Sequence, residues 1–142
     1  NIDEGYVYLY LELCLTNLKD YIEEQNNFLN LKLDNIDILK QITEGLDYLH
    51  NKNTTTVIHG NLKPQHVLIS YPDKNKKNYI KLADFTLSKQ LDDHEESLKF
   101  NKNDWSWSPP EMLSGNNKVN EKTDIFSLGC LFYYVLTGGK HP

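Results

Sequence analysis

The stretch that decides the fold is "HGNLKPQHVLIS", residues 59–70, in which a loop containing a proline runs into the strand candidate "HVLIS" at 66–70. Another strand candidate, "YIKLAD" at 79–84, leads into "DFT" at 84–86. "PPE" at 109–111 and "DIFSLG" at 124–129 follow in the same direction along the chain. Each short motif is common by itself. Four motifs in this order, each in its strand or helix context, indicate one specific fold.

The ordered motifs resemble the catalytic loop, the Asp-Phe-Gly and Ala-Pro-Glu motifs and the central helix of eukaryotic protein kinases. "ELCLTNLKDYIE" and "TDIFSLGCLFYYVLTGGKHP" are similar to the inositol-requiring ER-stress sensors, which join a kinase domain to an endoribonuclease, and more distantly to ribonuclease L. The resemblance implies an α+β protein-kinase-like fold over 1–142. Residues 1–14 would form the last N-lobe strand and the hinge, and 15–142 the helical C-lobe up to its central helix.

The chain starts at an asparagine and stops at "GGKHP", so we expect a piece of a longer protein. By the resemblance, most of the N-lobe lies outside these residues. The glycine-rich loop, the strand lysine, its glutamate partner and any nuclease domain would belong to the parent protein.

Residue patterns predict the main elements of secondary structure. A β-hairpin is expected because a turn rich in Pro, Asp, Asn and Lys separates the strands at 66–70 and 79–84. The other predictions are a buried strand at 6–13, a short helix at 16–26, an amphipathic helix at 33–52 capped by Asp34, with Leu39, Ile42, Leu46 and Leu49 on one face, and a helix at 122–139 that is apolar on nearly all sides and ended by Gly138 and Gly139.

Composition excludes some classes of function. The net charge is −5, and all 15 cationic residues apart from histidine are lysine, so we expect no direct nucleic-acid binding. The longest apolar run, 128–136, is too short to span a bilayer, which predicts no membrane contact. Cys14 and Cys130 form no Cys-x-x-Cys pair and are interpreted as reduced thiols of a cytosolic protein. For a stress sensor, that location would be the cytosolic face of the ER membrane.

The catalytic positions implied by the resemblance are altered. Asn61 stands where the catalytic aspartate is expected, and an amide can orient a hydroxyl but is no base near neutral pH. His66 replaces the asparagine that holds the second Mg²⁺, although Mg²⁺ prefers oxygen ligands. Asp84 is the remaining Mg²⁺ ligand of the usual pair. Gly60 replaces the arginine that, in many kinases, docks a phosphorylated activation segment. Thr86 replaces the hinge glycine that follows Asp84 and Phe85.

By the resemblance, other positions retain residues that can contact a bound nucleotide. Glu12 and Cys14 would offer backbone hydrogen bonds from the hinge, and Leu68 would lie under the adenine ring. Lys63 remains available to a terminal phosphate. The packing column that supports the loop would consist of His59, Phe85 and Asp124.

Further positions are interpreted as structural. Trp105 and Trp107 are expected to pack beneath the activation segment, and the acidic run "DDHEE" at 92–96 is expected to be a solvated loop.

Three functions stay open at this stage. The first is a pseudokinase that binds ATP or ADP, with weakened Mg²⁺ binding, and regulates self-association of the parent or an attached endoribonuclease domain. The second is a weakly active Ser/Thr kinase that uses an alternative base and one metal ion. The third is an interaction scaffold that binds no nucleotide.

Overall fold

The computed structural model describes residues 2–3, 6–28, 30–52, 54–90, 106–113 and 120–142. The strands are β1 (Ile2–Asp3), β2 (Tyr6–Val7), β3 (Cys14–Asn17), β4 (Val57–Ile58), β5 (Val67–Ser70), β6 (Ile80–Leu82) and β7 (Lys89–Gln90). The helices are α1 (Leu18–Glu23), α2 (Asn35–Asn51), α3 (Pro110–Leu113) and α4 (Glu121–Leu136). This mixture confirms the α+β class. The predictions for Trp105 and the acidic run at 92–96 lie outside the described residues.

The β-hairpin is confirmed. Strands β5 and β6 are antiparallel, with Val67 opposite Leu82 and Ile69 opposite Ile80. Strand β3 pairs with the other edge of β5, which makes a three-stranded sheet in the order β3-β5-β6. In the connecting turn the carboxylate of Asp73 accepts hydrogen bonds from backbone N–H groups. The hairpin carries the chain from the end of the 59–66 loop to the segment that begins at Asp84.

Helix α2 is amphipathic as predicted. The Asp34 side chain accepts a hydrogen bond from the backbone N–H of Asp37, which caps the helix N-terminus. Leu39, Ile42 and Leu46 are buried in the core, and Leu49 is partly buried against it. The same face continues one turn further to a buried histidine, and this extension was not predicted.

Helix α4 is also confirmed, and it ends where the glycines predict. The backbone passes through φ values of 67° at Gly138 and 102° at Gly139, which favour glycine and close the helix. Leu131 and Tyr134 are buried, whereas Phe126 and Leu136 remain largely exposed. Helices α2 and α4 pack against each other and form the core of the helical layer. No helix among the described residues combines the length and apolar character that a membrane span requires.

The predicted buried strand at 6–13 is wrong. Only Tyr6–Val7 is a strand, paired with Ile2–Asp3, and the chain from Tyr8 to Leu13 has no regular structure. Leu9 is 79% exposed. An apolar segment becomes a buried strand only when a neighbouring strand satisfies its backbone groups, and no described strand pairs with residues 8–13.

The predicted helix at 16–26 is shorter than expected. Its start is set by Asn17, whose side-chain oxygen accepts a hydrogen bond from the backbone N–H of Asp20 and caps α1. Residues Gln25–Phe28 form a 3₁₀ turn instead of continuing the helix. Trp107 packs edge-on against Tyr134 at 5.6 Å between ring centroids, while residues 91–105 of the activation segment that it was expected to lie beneath are outside the described residues.

Candidate active site

The loop at 59–66 is anchored by a buried carboxylate on α4. Asp124 is 0% exposed, and its Oδ2 accepts hydrogen bonds from the His59 backbone N–H at 2.8 Å and from His50 Nε2 at 2.8 Å. Its Oδ1 accepts from the Gly60 backbone N–H at 2.9 Å. Gly60 has a φ of 73°, which a residue with a side chain adopts only with strain. The first turn of α4 therefore fixes where the loop begins.

His59 connects the loop to the end of β6. The side chain is fully buried, and Nε2 lies 3.0 Å from the carbonyl oxygen of Ala83. Because a carbonyl only accepts, Nε2 carries the proton, and Nδ1 is left to accept from the Asn61 N–H at 3.3 Å. The ring packs against Phe85 at 5.0 Å between centroids. Burial lowers the pKa of His59 below its ordinary value and outweighs the opposite effect of the Asp124 carboxylate.

Asp84 lies next to this column, in a left-handed backbone conformation with φ 60° and ψ 69°. Its Oδ1 accepts a hydrogen bond of 2.6 Å from the hydroxyl of Thr86. Its Oδ2 lies 3.1 Å from His66 Nε2 and 3.3 Å from Asn61 Nδ2. The Thr86 hydroxyl is the main reason that the pKa of Asp84 lies below its ordinary value, and His66 acts in the same direction against the opposing effect of burial.

His66 is held on both sides of its ring. Nδ1 is 2.7 Å from the backbone oxygen of Asn61, while Nε2 faces Asp84. The imidazole ring therefore lies between two oxygen atoms. The 3₁₀ turn Pro64–His66 aims the side chain back over the loop. Asn61, His66 and Asp84, which are separate in sequence, therefore form one cluster.

Glu12, Cys14 and Leu68 form a second group of predicted site residues, on or beside the three-stranded sheet. Cys14 pairs with Ser70, and Leu68 lies between Asn17 and Lys81 on the neighbouring strands. The Glu12 side chain makes an ion pair of 2.7 Å with Lys81. Burial raises the pKa of the Cys14 thiol, and Glu12 adds to that shift. The β5-β6 hairpin connects this group to the first.

Lys63 belongs to neither the cluster around Asp84 nor the group on the sheet. It lies within the loop itself, directly before the 3₁₀ turn, with an extended backbone and a partly buried side chain.

Sequence reasoning missed two contributors to the site. His50 was not singled out, although it follows Ile42 and Leu46 at four-residue spacing on the buried face of α2. A polar residue on an apolar helix face was the available signal, because it needs a buried partner. Thr86 was recognised only as a stiffer replacement for glycine. Its hydroxyl contact with Asp84 could not be inferred from spacing.

The donor set can be compared with what Mg²⁺ requires. Mg²⁺ takes oxygen ligands in a near-ideal octahedron at about 2.0–2.1 Å. Both oxygens of Asp84 already accept hydrogen bonds, and the neighbouring His66 presents nitrogen atoms. No group of three or more His, Cys, Asp or Glu side chains suited to a metal ion occurs in the described part of the chain. The side chains at Asp84 do not fit the usual magnesium site.

Comparison with known proteins agrees with the geometry of the loop. The protein kinase domain family matches residues 2–142. The chain belongs to the protein kinase family. This kinase domain is 37% identical to the serine/threonine-protein kinase/endoribonuclease ire-1 of Caenorhabditis elegans, over 99% of the chain and 15% of that protein. It is 35% identical to the sensor for unfolded proteins in the ER ire1 of Schizosaccharomyces pombe, over 98% of the chain and 15% of the relative.

The chain is also similar to a human protein and to a solved structure. The serine/threonine-protein kinase/endoribonuclease IRE2 of Homo sapiens is 35% identical over 95% of the chain and 15% of its own length. The kinase-like domain is therefore of the ER-stress-sensor type, and it spans about 15% of these relatives. The structure of the yeast RNA Pol II CTD kinase CTDK-1 complex matches with a TM-score of 0.68 at 19% identity, covering 89% of this chain and 38% of that one. This likeness supports the kinase fold alone.

Proposed function

We propose that the chain is the nucleotide-binding part of a pseudokinase that regulates its parent protein. The observation that carries this proposal is the state of Asn61. Its amide donates toward Asp84 at 3.3 Å, whereas the residue at this position in an active kinase accepts or orients a proton. Loss of the base and loss of the second Mg²⁺ ligand at His66 act together, so phosphoryl transfer is crippled while the fold is kept.

The nucleotide is ATP or ADP, and the proposed contacts divide between the two groups of residues. Backbone groups of Glu12 and Cys14 hold the base, and Leu68 lies beneath it. Lys63 and Asp84 lie toward the phosphates, where Mg²⁺ binding is weakened. Residues 1–14 serve as the end of the N-lobe and the hinge, and 15–142 as the C-lobe up to the central helix.

The regulatory output is a change in self-association. A bound nucleotide stabilises the conformer that dimerises and aligns an attached endoribonuclease domain. Such a shift requires that nucleotide bind one conformer more tightly than the other. The domain works at the cytosolic face of the ER membrane, without direct contact of its own with nucleic acid or lipid. The similarity to a serine/threonine-protein kinase/endoribonuclease and to a sensor for unfolded proteins in the ER supports this assignment.

The test uses the full-length protein. Sedimentation velocity with and without saturating ADP is expected to show more dimer when ADP is present. Thermal unfolding with ATP at 100 times Kd should show stabilisation by about 2.7 kcal/mol. Equal self-association in both conditions would contradict the proposal.

Two tryptophan variants provide a matched pair for this experiment. Leu68→Trp fills the proposed base site and should abolish the response to ADP. Leu136→Trp places the same side chain on an exposed position of α4 and should leave the response intact.

A weakly active Ser/Thr kinase is the second candidate. One observation favours it, since the Asp84 side chain is 33% exposed and thus within reach of a ligand. It requires transfer of labelled phosphate from ATP that disappears in Asp84→Ala. Without such transfer, the pseudokinase is the better description.

A further inference from the structure

The residues by which this loop departs from the kinase pattern meet at one carboxylate. Asn61, His66 and Thr86 all place a donor atom within 3.3 Å of an oxygen of Asp84. They come from two segments that the β5-β6 hairpin separates in sequence. We call this set of three donors the Asp84 clasp. Because these three departures from the kinase pattern contact the same carboxylate, we treat them as one functional unit.

The clasp occupies both oxygens of the carboxylate. Thr86 holds Oδ1 through its hydroxyl at 2.6 Å and its backbone N–H at 3.4 Å. His66 and Asn61 hold Oδ2. A cation that approached either oxygen would meet the hydrogens of these donors and would have to displace them. In a partly buried site, displaced donors lose hydrogen bonds that water replaces only in part.

Two members of the clasp, His66 and Asn61, make further contacts with the chain. The His66 side chain is 14% exposed, and its second nitrogen is fixed on the backbone oxygen of Asn61 at 2.7 Å. Asn61 itself is tied to His59, which is completely buried. The donors are thus positioned before any ligand arrives, so closing the clasp costs little further conformational entropy.

We propose that the Asp84 clasp replaces the divalent cation, so that the site binds a nucleoside diphosphate or triphosphate in its metal-free form. This inference rests on the proposed nucleotide site and names the form of ligand that the site selects. In a kinase, metal ions offset repulsion between the aspartate and the phosphates. Here, hydrogen bonds from the chain's own side chains take over that task at Asp84.

Calorimetric titration of the full-length protein with ADP tests this directly. One titration is run in EDTA and the other in excess Mg²⁺. The apparent dissociation constant is expected to be no larger in EDTA than in Mg²⁺, because Mg²⁺ that binds to ADP in solution removes the metal-free form. Binding that is ten or more times weaker in EDTA would overturn the clasp and leave the nucleotide function intact. Absence of binding in both buffers would overturn both, so the two failures are distinguishable.

A variant pair sharpens the test. His66→Asn combined with Thr86→Gly opens the clasp, and Mg²⁺ should then tighten ADP binding at least tenfold. The control combines His141→Asn with Thr54→Gly, which makes the same chemical changes at exposed positions away from Asp84 and should leave ADP binding no tighter in Mg²⁺ than in EDTA. An opened variant that, like the control, binds ADP no more tightly in Mg²⁺ than in EDTA would overturn the role of these side chains.

A conservative variant separates the hydroxyl from mere bulk. Thr86→Ser keeps the Oγ donor and should retain metal-independent binding. Mn²⁺ observed by electron paramagnetic resonance adds a readout besides affinity. With ADP present, the Mn²⁺ spectrum should equal that of Mn²⁺ and ADP in buffer for the unaltered protein and for Thr86→Ser, and should show protein-bound Mn²⁺ in the opened variant. Bound Mn²⁺ in the unaltered protein would contradict the proposal.

Discussion

Two aspartates, Asp84 and Asp124, lie at opposite sides of the same loop and accept hydrogen bonds in different ways. Asp124 is fully buried, and two of its donors are backbone N–H groups of His59 and Gly60. Asp84 has a side chain 33% exposed, and its short contacts come from the side chains of Asn61, His66 and Thr86. Asp124 therefore anchors the backbone of the loop, whereas the contacts of Asp84 depend on the side chains of particular residues.

The difference separates the contacts of the loop that depend on residue type from those that do not. Backbone donors are present whichever side chains the loop carries, so the anchor at Asp124 tolerates substitution nearby. Side-chain donors depend on residue type. The environment of Asp84 therefore changes with each substitution in the loop, and the fold does not have to change with it.

The largest expected effect comes from removing the buried anchor. Asp124→Ala leaves two backbone donors and His50 without their acceptor in the core. The free energy of unfolding should fall by roughly 3–5 kcal/mol. Urea denaturation measures this loss. Asp124→Asn keeps one acceptor oxygen, so its free energy of unfolding should fall by less, about 1–3 kcal/mol. A loss under about 1 kcal/mol for the alanine variant would show that the backbone donors find other partners.

A smaller loss is expected at His50, which supplies the third donor. Its ring nitrogen lies 2.8 Å from Asp124, and both side chains are nearly inaccessible to solvent. His50→Leu should lower the free energy of unfolding by about 1–3 kcal/mol. His141→Leu is the matched control at an exposed position and should stay within about 0.5 kcal/mol. Equal losses for the two variants would mean that the buried pair contributes nothing.

Asp84 should matter little for stability. Asp84→Ala removes the acceptor of the clasp, but the Asp84 side chain is 33% exposed, so water replaces part of the lost contacts. We expect a change of less than about 1 kcal/mol in the free energy of unfolding. A loss as large as that of Asp124→Ala would remove the contrast between the two aspartates.

The smallest effect concerns the turn of the hairpin. The Lys77 backbone N–H is the main reason that the pKa of Asp73 lies below its ordinary value of 3.8. Since the folded pKa is depressed, the stabilisation is present above pH 3.8 and is lost as pH falls through the folded value. The stability difference between the unaltered protein and Asp73→Asn should be constant at pH 5 to 7 and shrink near pH 3. Urea denaturation at both ends of the range checks it, and a difference independent of pH would be contrary to this account.

Much of the fold could be predicted because its signals are local. The hairpin followed from two strand patterns around a turn, and α2 from a capping aspartate and an apolar face at helical spacing. The failure at 6–13 has the opposite cause. Its composition favours a strand, but a strand needs a partner, and pairing is not a property of the segment itself.

The site was predictable in its residue types and not in its contacts. That Asn61 is no base follows from its chemistry alone, as does the poor match of His66 to Mg²⁺. Their shared contact with Asp84 was not foreseen. Asn61 and Asp84 are 23 positions apart, and a motif comparison treats each replaced position separately.

The sequence by itself determined the kinase family, the order of the hairpin and helices, and the presence of an amide, Asn61, where the resemblance implies a base. Only the tertiary structure decided that His50 pairs with Asp124, 74 positions away, and that Asn61, His66 and Thr86 close on Asp84. The physical reason is the range of the interactions. Propensity, capping and turn chemistry act between near neighbours, whereas a hydrogen bond between distant residues requires that packing first bring its donor and acceptor into alignment.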